Sequence, residues 1–272
     1  MMKLFVVGSP RSGTTLLQTI LATQTRLFTL KETHFFRLLH RPRPVRLLDR
    51  LALDPARAAN AFAYVAEHNG LPLPEEPPPR RLAEACARLD RMLGDAARRR
   101  GLAGWLEKTP EHAFFTGEIR RFVPGARFVH ILRDGPDVVA SLWDARQRYP
   151  DSWGWLRGLD DMIRLYNRYA RVARRERGHA DTFVVLYNDL VERNATTLDA
   201  LARFLDLAPG SLSLERIESW RNDIVRADEP WKRRSESTVV DTRGSKFAAL
   251  FAPAEQARIR RRLDPVADIV SG

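Results

Sequence analysis

The chain has one cysteine in 272 residues, Cys86. It has no partner for an internal disulfide and no thiolate set for a zinc or iron–sulfur site, which suits a reducing compartment and a cytoplasmic location. No run of eighteen apolar residues occurs, so no membrane span is expected. Met1–Val7 is too short for the apolar core and cleavage site of a signal peptide. The six histidines are scattered without H-E-x-x-H spacing, and no bound metal is expected. Acidic side chains are in the minority, 34 against 45 Lys and Arg, for a net charge of +11. Such a balance raises nucleic acid as a partner. However, the arginine clusters at 98–100, 171–177 and 258–262 fall on separate helix-like segments without interleaved aromatics. A field that steers a small polyanion is the simpler reading, and no nucleic acid partner is expected. With 44% hydrophobic residues, residues 1–272 are enough for a single domain with a real core.

A further absence is more informative. Lys3–Val7 reads as a buried strand, Gly8-Ser9-Pro10-Arg11-Ser12-Gly13-Thr14-Thr15 as a glycine-bracketed loop, and Leu16–Leu21 as the start of a helix. A strand–loop–helix unit of this kind aims backbone N–H groups and a helix N-terminus at one anion. The triphosphate-binding pattern G-x-x-x-x-G-K-[ST] fits at Gly8, Gly13 and Thr15, but Thr14 stands where the lysine belongs. That lysine serves the β- and γ-phosphates. Without it the loop reads as a cradle for a different anion, with the planar fork of Arg11 as its cation.

Other candidate strands end in polar groups of the same kind. Arg127–Leu132 runs into Arg133-Asp134-Gly135-Pro136, with Gly135 suited to a helix N-cap, Pro136 to the first helical position, and Ser141 on the helix that follows. Leu27–Lys31 leads to Glu32, with His34 two residues on. Ala103–Glu107 leads to Lys108-Thr109-Pro110. Thr182–Leu190 carries Tyr187. Strands alternate with helices, which predicts a parallel α/β sheet, and in such sheets ligands bind outside the carboxyl ends of the strands. Gly8, Glu32, Lys108 and Arg133 would share that edge. Between the second and third strands, about residues 37–100, strand signals are scarce. Helices are expected over 56–67 and 82–100, split by the proline-rich stretch 71–79, and this insertion is a plausible lid. Phe35, Phe36, Trp143, Trp153 and Trp155 are candidates for an apolar pocket, with ordinary core packing as the alternative.

Ser9–Thr15 resembles the 5′-phosphosulfate loop of sulfotransferases, which take their sulfuryl group from 3′-phosphoadenosine 5′-phosphosulfate (PAPS) and release 3′-phosphoadenosine 5′-phosphate (PAP). Arg133 and Ser141, eight residues apart, resemble the same family's 3′-phosphate motif. Gly135 stands where the family commonly has proline, with Pro136 one later. The resemblance extends from Lys3 to about Phe251 and is closest in style to tyrosylprotein-type and bacterial members. It implies a three-layer P-loop-like α/β fold, with a central parallel sheet of about five strands flanked by helices, and the helical insertion. It implies that Pro10, Arg11, Ser12, Gly13, Thr14 and Thr15 hold the phosphosulfate, and that Arg133 and Ser141 hold the 3′-phosphate. Tyr187 would lie by the adenine, and Ser235, Ser237 and Lys246 would belong to a loop closing over the cofactor. Glu32 would be the general base, with His34 its rival, while Lys108 and Arg11 stabilise charge on the transferring group. No metal is needed. The acceptor would be a small molecule, a peptide or a carbohydrate, attacking through a hydroxyl or an amine. The alternatives are a small-molecule kinase on a P-loop fold and a non-catalytic protein that binds nucleotides or nucleic acid.

Overall fold

The computed structural model describes residues 1–41, 52–214, 244–266 and 269. Five strands, β1 (Met2–Gly8), β2 (Leu27–Thr29), β3 (Gly104–Lys108), β4 (Ala126–Leu132) and β5 (Thr182–Leu186), form one parallel sheet in the order β2-β3-β1-β4-β5. The central strand, β1, is buried from Leu4 to Gly8, as expected of a parallel strand covered on both faces. Its alternate residues feed two different cores. Phe5 and Val7 face one together with Trp105 and Phe128; Leu4 and Val6 face the other with Leu106, Val129 and Ile131. Phe5 stands edge-on to Trp105 at 5.2 Å and stacks on Phe128 at 5.7 Å. All three rings are fully buried, each contributing about 1.5–3 kcal/mol by removal from water.

The second core is closed by α1 (Thr14–Gln24), α9 (Tyr187–Glu192) and α10 (Asn194–Phe204). The first is closed by α2 (Phe35–Leu39), α3 (Pro55–Asn69), α4 (Leu82–Arg99), a 3₁₀ turn over Pro110–Phe115, α5 (Thr116–Phe122), α6 (Gly135–Arg148), α7 (Pro150–Trp153), α8 (Leu159–Glu176), α11 (Ser245–Leu250) and α12 (Pro253–Arg262). Three layers result, and α2, α3 and α4 make up the expected helical insertion between β2 and β3. The local signals for these helices are plain. Asp54 caps α3 by accepting from the Ala56 N–H, Pro55 opens it, and Gly70 ends it in the left-handed conformation, each at its preferred position. In α4, Ala85, Leu89, Met92, Leu93 and Ala96 fall on one buried stripe.

Some boundaries differ from expectation. β2 stops at Thr29, paired with Leu106, although β3 continues to Lys108. Beyond that point the backbone N–H of Lys31 bonds to Asn69 Oδ1 at 2.8 Å and that of Thr33 to Thr109 Oγ1 at 3.0 Å. Side chains thus take over from the ladder. β5 stops at Leu186, opposite the last residue of β4, and Tyr187 opens a helix instead of extending the strand. α6 begins at Gly135 with Asp134 at the cap position, one residue earlier than expected. Phe35 and Phe36 are core residues, Trp153 is buried and Trp143 packs against the core, whereas Trp155 is exposed.

Candidate active site

Gly8 ends β1 against Ile131 so closely that a Cβ there would lie 2.1 Å from the Ile131 carbonyl oxygen. Gly13 ends the loop at φ +93°, where a Cβ would meet the Tyr187 ring at 2.6 Å. Only glycine fits either place without its neighbours shifting. Arg11 itself adopts the left-handed conformation at φ +70°, which costs a non-glycine residue about 1 kcal/mol or more. Its Nε donates to Ser141 Oγ at 3.0 Å, so the two anion motifs, 130 residues apart, touch. Burial pulls the Arg11 guanidinium below its ordinary pKa, and Arg133 adds to this, while Asp144 and Tyr149 oppose it.

Arg133 follows the end of β4. Its Nη2 donates to Asp137 Oδ2 at 3.0 Å, and Asp137 Oδ1 accepts from the Gly244 N–H at 2.9 Å. The guanidinium lies over the Tyr187 ring, 4.5 Å from its centroid. Arg133 Nε and Ser12 Oγ are both buried without a hydrogen-bond partner. Buried donors of this kind are normally satisfied, so each is available to a ligand's oxygen. Lys246, on α11, pairs with Asp144 of α6 at 2.9 Å, one turn beyond Ser141. Ser235 and Ser237 lie outside the described residues.

On the other side of β1, Lys108 Nζ lies 2.5 Å from Glu32 Oε1, with both side chains almost wholly buried. His34 Nε2 is 3.7 Å from Glu32 Oε2, and its Nδ1 is 2.8 Å from Glu111 Oε1, which also accepts from Arg37. Burial alone would raise the pKa of Glu111; His34 and Arg37 outweigh it and hold the carboxyl below the usual range. His34 sits at φ +49°, a turn that sets its imidazole between the two glutamates.

Behind this row is a cluster that sequence reasoning missed. The fully buried Glu107 carboxylate accepts from Thr33 Oγ1 at 2.8 Å and Thr109 Oγ1 at 2.5 Å, and its Oε2 meets His112 Nδ1 at 2.8 Å. Burial pushes Glu107 up, but the His112 charge and these hydrogen bonds prevail and its pKa is lowered. The cluster ties the segment carrying Glu32 to the strand end carrying Lys108. The one local sign of it is an acid immediately before Lys108, on the opposite face of β3. Asp137 was also missed, although the i,i+4 spacing from Arg133 on a helix start is a readable ion-pair signal. Among the described residues no group of three or more potential ligands could hold a metal ion, and no helix is long and apolar enough to cross a membrane.

The profile of the sulfotransferase family matches residues 3–209. Among solved structures, the sulfotransferase domain of the curacin biosynthetic pathway has a TM-score of 0.61 at 16% identity, with 96% of each chain covered. The sulfotransferase domain of the Synechococcus PCC 7002 olefin synthase gives 0.56 at 16% identity, covering 96% of this chain and 94% of that one. A mouse sulfotransferase complexed with PAP gives 0.52 at 10% identity, covering 96% and 82%. At such identities the likeness is one of fold. No curated protein matches the chain.

Proposed function

We propose that this chain, which belongs to the sulfotransferase family, moves a sulfuryl group from PAPS to an acceptor hydroxyl, or to an amine, with Glu32 as general base. The observation that carries the reading is the contact of Arg11 with Ser141 beside the unpartnered Nε of Arg133. PAPS has two anionic ends, and these groups supply donors for both. Arg11, Ser12, Gly13, Thr14 and Thr15, with Pro10 at the loop's entry, would hold the phosphosulfate through side chains and N–H groups. Arg133 and Ser141 would hold the 3′-phosphate. Tyr187 already carries Arg133 on its face, so its part is to brace that guanidinium and the adenine end beside it. Lys246 contributes through Asp144, which also acts on Arg11.

When bound, PAPS supplies the sulfuryl group; the acceptor O–S bond forms as the S–O bond to the 5′-phosphate breaks. Glu32 accepts the acceptor's proton at Oε2, the oxygen 3.7 Å from His34 Nε2. A positioned base of this kind contributes about 10²–10⁴-fold. As Glu32 is neutralised its pull on Lys108 falls, and the ammonium would be available to the charge that develops on the leaving oxygen. That is charge stabilisation made in the transition state, which lowers the barrier rather than only tightening binding. His34, fixed by Glu111, steers the acceptor hydroxyl onto Glu32.

Calorimetric titration with PAP, with ATP and magnesium, and with a DNA or RNA oligomer tests the reading. Tight binding of PAP without metal is expected. Binding of ATP–magnesium alone would assign a kinase, and binding of the oligomer alone a nucleic-acid-binding protein; either result rejects the proposal.

A further inference from the structure

Beside the N-terminal half of α8 opens a pocket of about 370 Å³ that none of the motifs above occupies. The volume suits a small ligand. Its apolar wall is Leu156 and Leu165, both buried, and its rim is Trp155, whose side of the pocket is open to solvent at 59% exposure. A tryptophan displayed in this way, braced by the Trp153 ring at 6.4 Å, is a flat surface suited to a ring.

The polar part of the lining is one-sided. Arg157, Arg164 and Arg168 face a single acid, Asp161. Asp161 is already engaged, accepting from the Arg164 guanidinium and from the Arg157 N–H at 2.9 Å. Among the described residues the guanidinium groups of Arg157 and Arg168 have no hydrogen-bonded acceptor; Arg168 lies over the Phe114 ring at 4.5 Å. The pocket therefore offers apolar carbon, an aromatic face and two guanidinium forks whose donors have no protein acceptor there. That combination recognises an organic anion.

Phe114, under Arg168, packs on Tyr169 at 4.5 Å. The buried Tyr169 hydroxyl is raised well above the ordinary tyrosine pKa, by burial first and then by Glu111 and Glu32, with Arg168 opposing.

We propose that this pocket is a binding site for an organic anion, a molecule that carries a carboxylate or phosphate group on an apolar or ring-bearing body. The inference stands apart from the sulfotransfer reading. It is tested by equilibrium binding to the full chain, with and without PAP, of 4-hydroxyphenylacetate against its methyl ester, and of 4-hydroxyphenyl phosphate against phenol. The acids should bind at least about tenfold tighter than their neutral counterparts, as charge-assisted hydrogen bonds imply. An R157A/R168A double variant should lose that preference while keeping its PAP affinity and its affinity for the neutral probes. W155A should weaken acids and neutral probes alike. The carboxylate and phosphate arms tell the two anion types apart. Equal binding of acids and neutral probes, or a preference that survives in the double variant, overturns the inference. Failure of PAP to bind in the same series strikes the sulfotransfer reading instead, and PAP binding without an acid preference strikes this inference alone.

Discussion

Lys108 Nζ and Glu32 Oε1 lie 2.5 Å apart, although 76 residues separate them in the chain and β2 and β3 have stopped pairing before either is reached. The pair is joined by hydrogen bonds of other side chains, not by the sheet. Thr33, next to Glu32, and Thr109, next to Lys108, both donate to Glu107.

Glu32→Gln should keep PAP affinity and lower turnover by about 10²–10⁴-fold, the usual worth of a general base. His34→Gln should cost far less. The two are compared by kcat under saturating PAPS. Full activity in the Glu32 variant would remove it as the base, and a larger loss in the His34 variant would transfer the role.

Arg133→Ala should weaken PAP by about 10–100-fold, the worth of a charge-assisted hydrogen bond. It should affect adenosine 5′-phosphosulfate, which lacks the 3′-phosphate, much less. Titration of both ligands decides the matter, and equal losses would count against a 3′-phosphate role.

Glu107→Gln should lower kcat without a matching change in PAP affinity, because it loosens the clasp between Glu32 and Lys108. The stability effect has a defined sign. The folded pKa of Glu107 is depressed, so its contribution is present above the unfolded value of about 4.3 and lost as pH falls through the folded value. Melting curves from pH 3 to 7 should show an acid-side loss in the parent that the variant largely lacks.

His130 works in a higher pH window. Burial, ahead of the neighbouring charges, lowers its pKa to about 4, and its Nε2 has no partner. A depressed histidine stabilises the fold fully above the unfolded value of about 6.5 and loses that contribution between there and about 4, roughly 3 kcal/mol in all. His130→Leu should flatten the stability profile between pH 6.5 and 4.5, as chemical denaturation would report.

Gly13→Ala should impair PAP binding more than folding. The added methyl would lie 2.6 Å from the Tyr187 ring at φ +93°, costing about 1–3 kcal/mol of strain unless the ring moves. A binding isotherm and a melting temperature taken together separate the two effects. Unchanged PAP affinity would argue against the packing of loop and ring as the basis of the cradle.

The anion loop and the Arg133–Ser141 spacing were legible because each is a local pattern: a strand end, a turn and a helix start within a few residues. The five strands and the insertion helices were legible for the same reason. What joins them was not. Arg11 meets Ser141, and Glu107 meets Thr33, across separations of 130 and 74 residues, which no spacing rule reaches. The strand expected to run to Lys31 ends at Thr29 because Asn69, far along the chain, takes the next backbone donor. The arginine clusters at 171–177 and 258–262 do sit on separate helices, but the residues that follow α12 meet α8. Arg171 pairs with Asp264 at 3.1 Å and Arg174 donates to the Pro265 carbonyl. Charges that look dispersed in the sequence are therefore partly neutralised at that seam.

Tyr187 touches the loop through Gly13 with its edge and carries Arg133 on its face. The two places proposed for the anions of PAPS consequently share a wall. A ligand that settles one of them steadies the other through this ring, in the manner of a chelate whose second arm binds at little further entropic cost. Fragments bearing only one anionic end forgo that advantage, and their separate affinities should multiply to less than the affinity of the intact molecule.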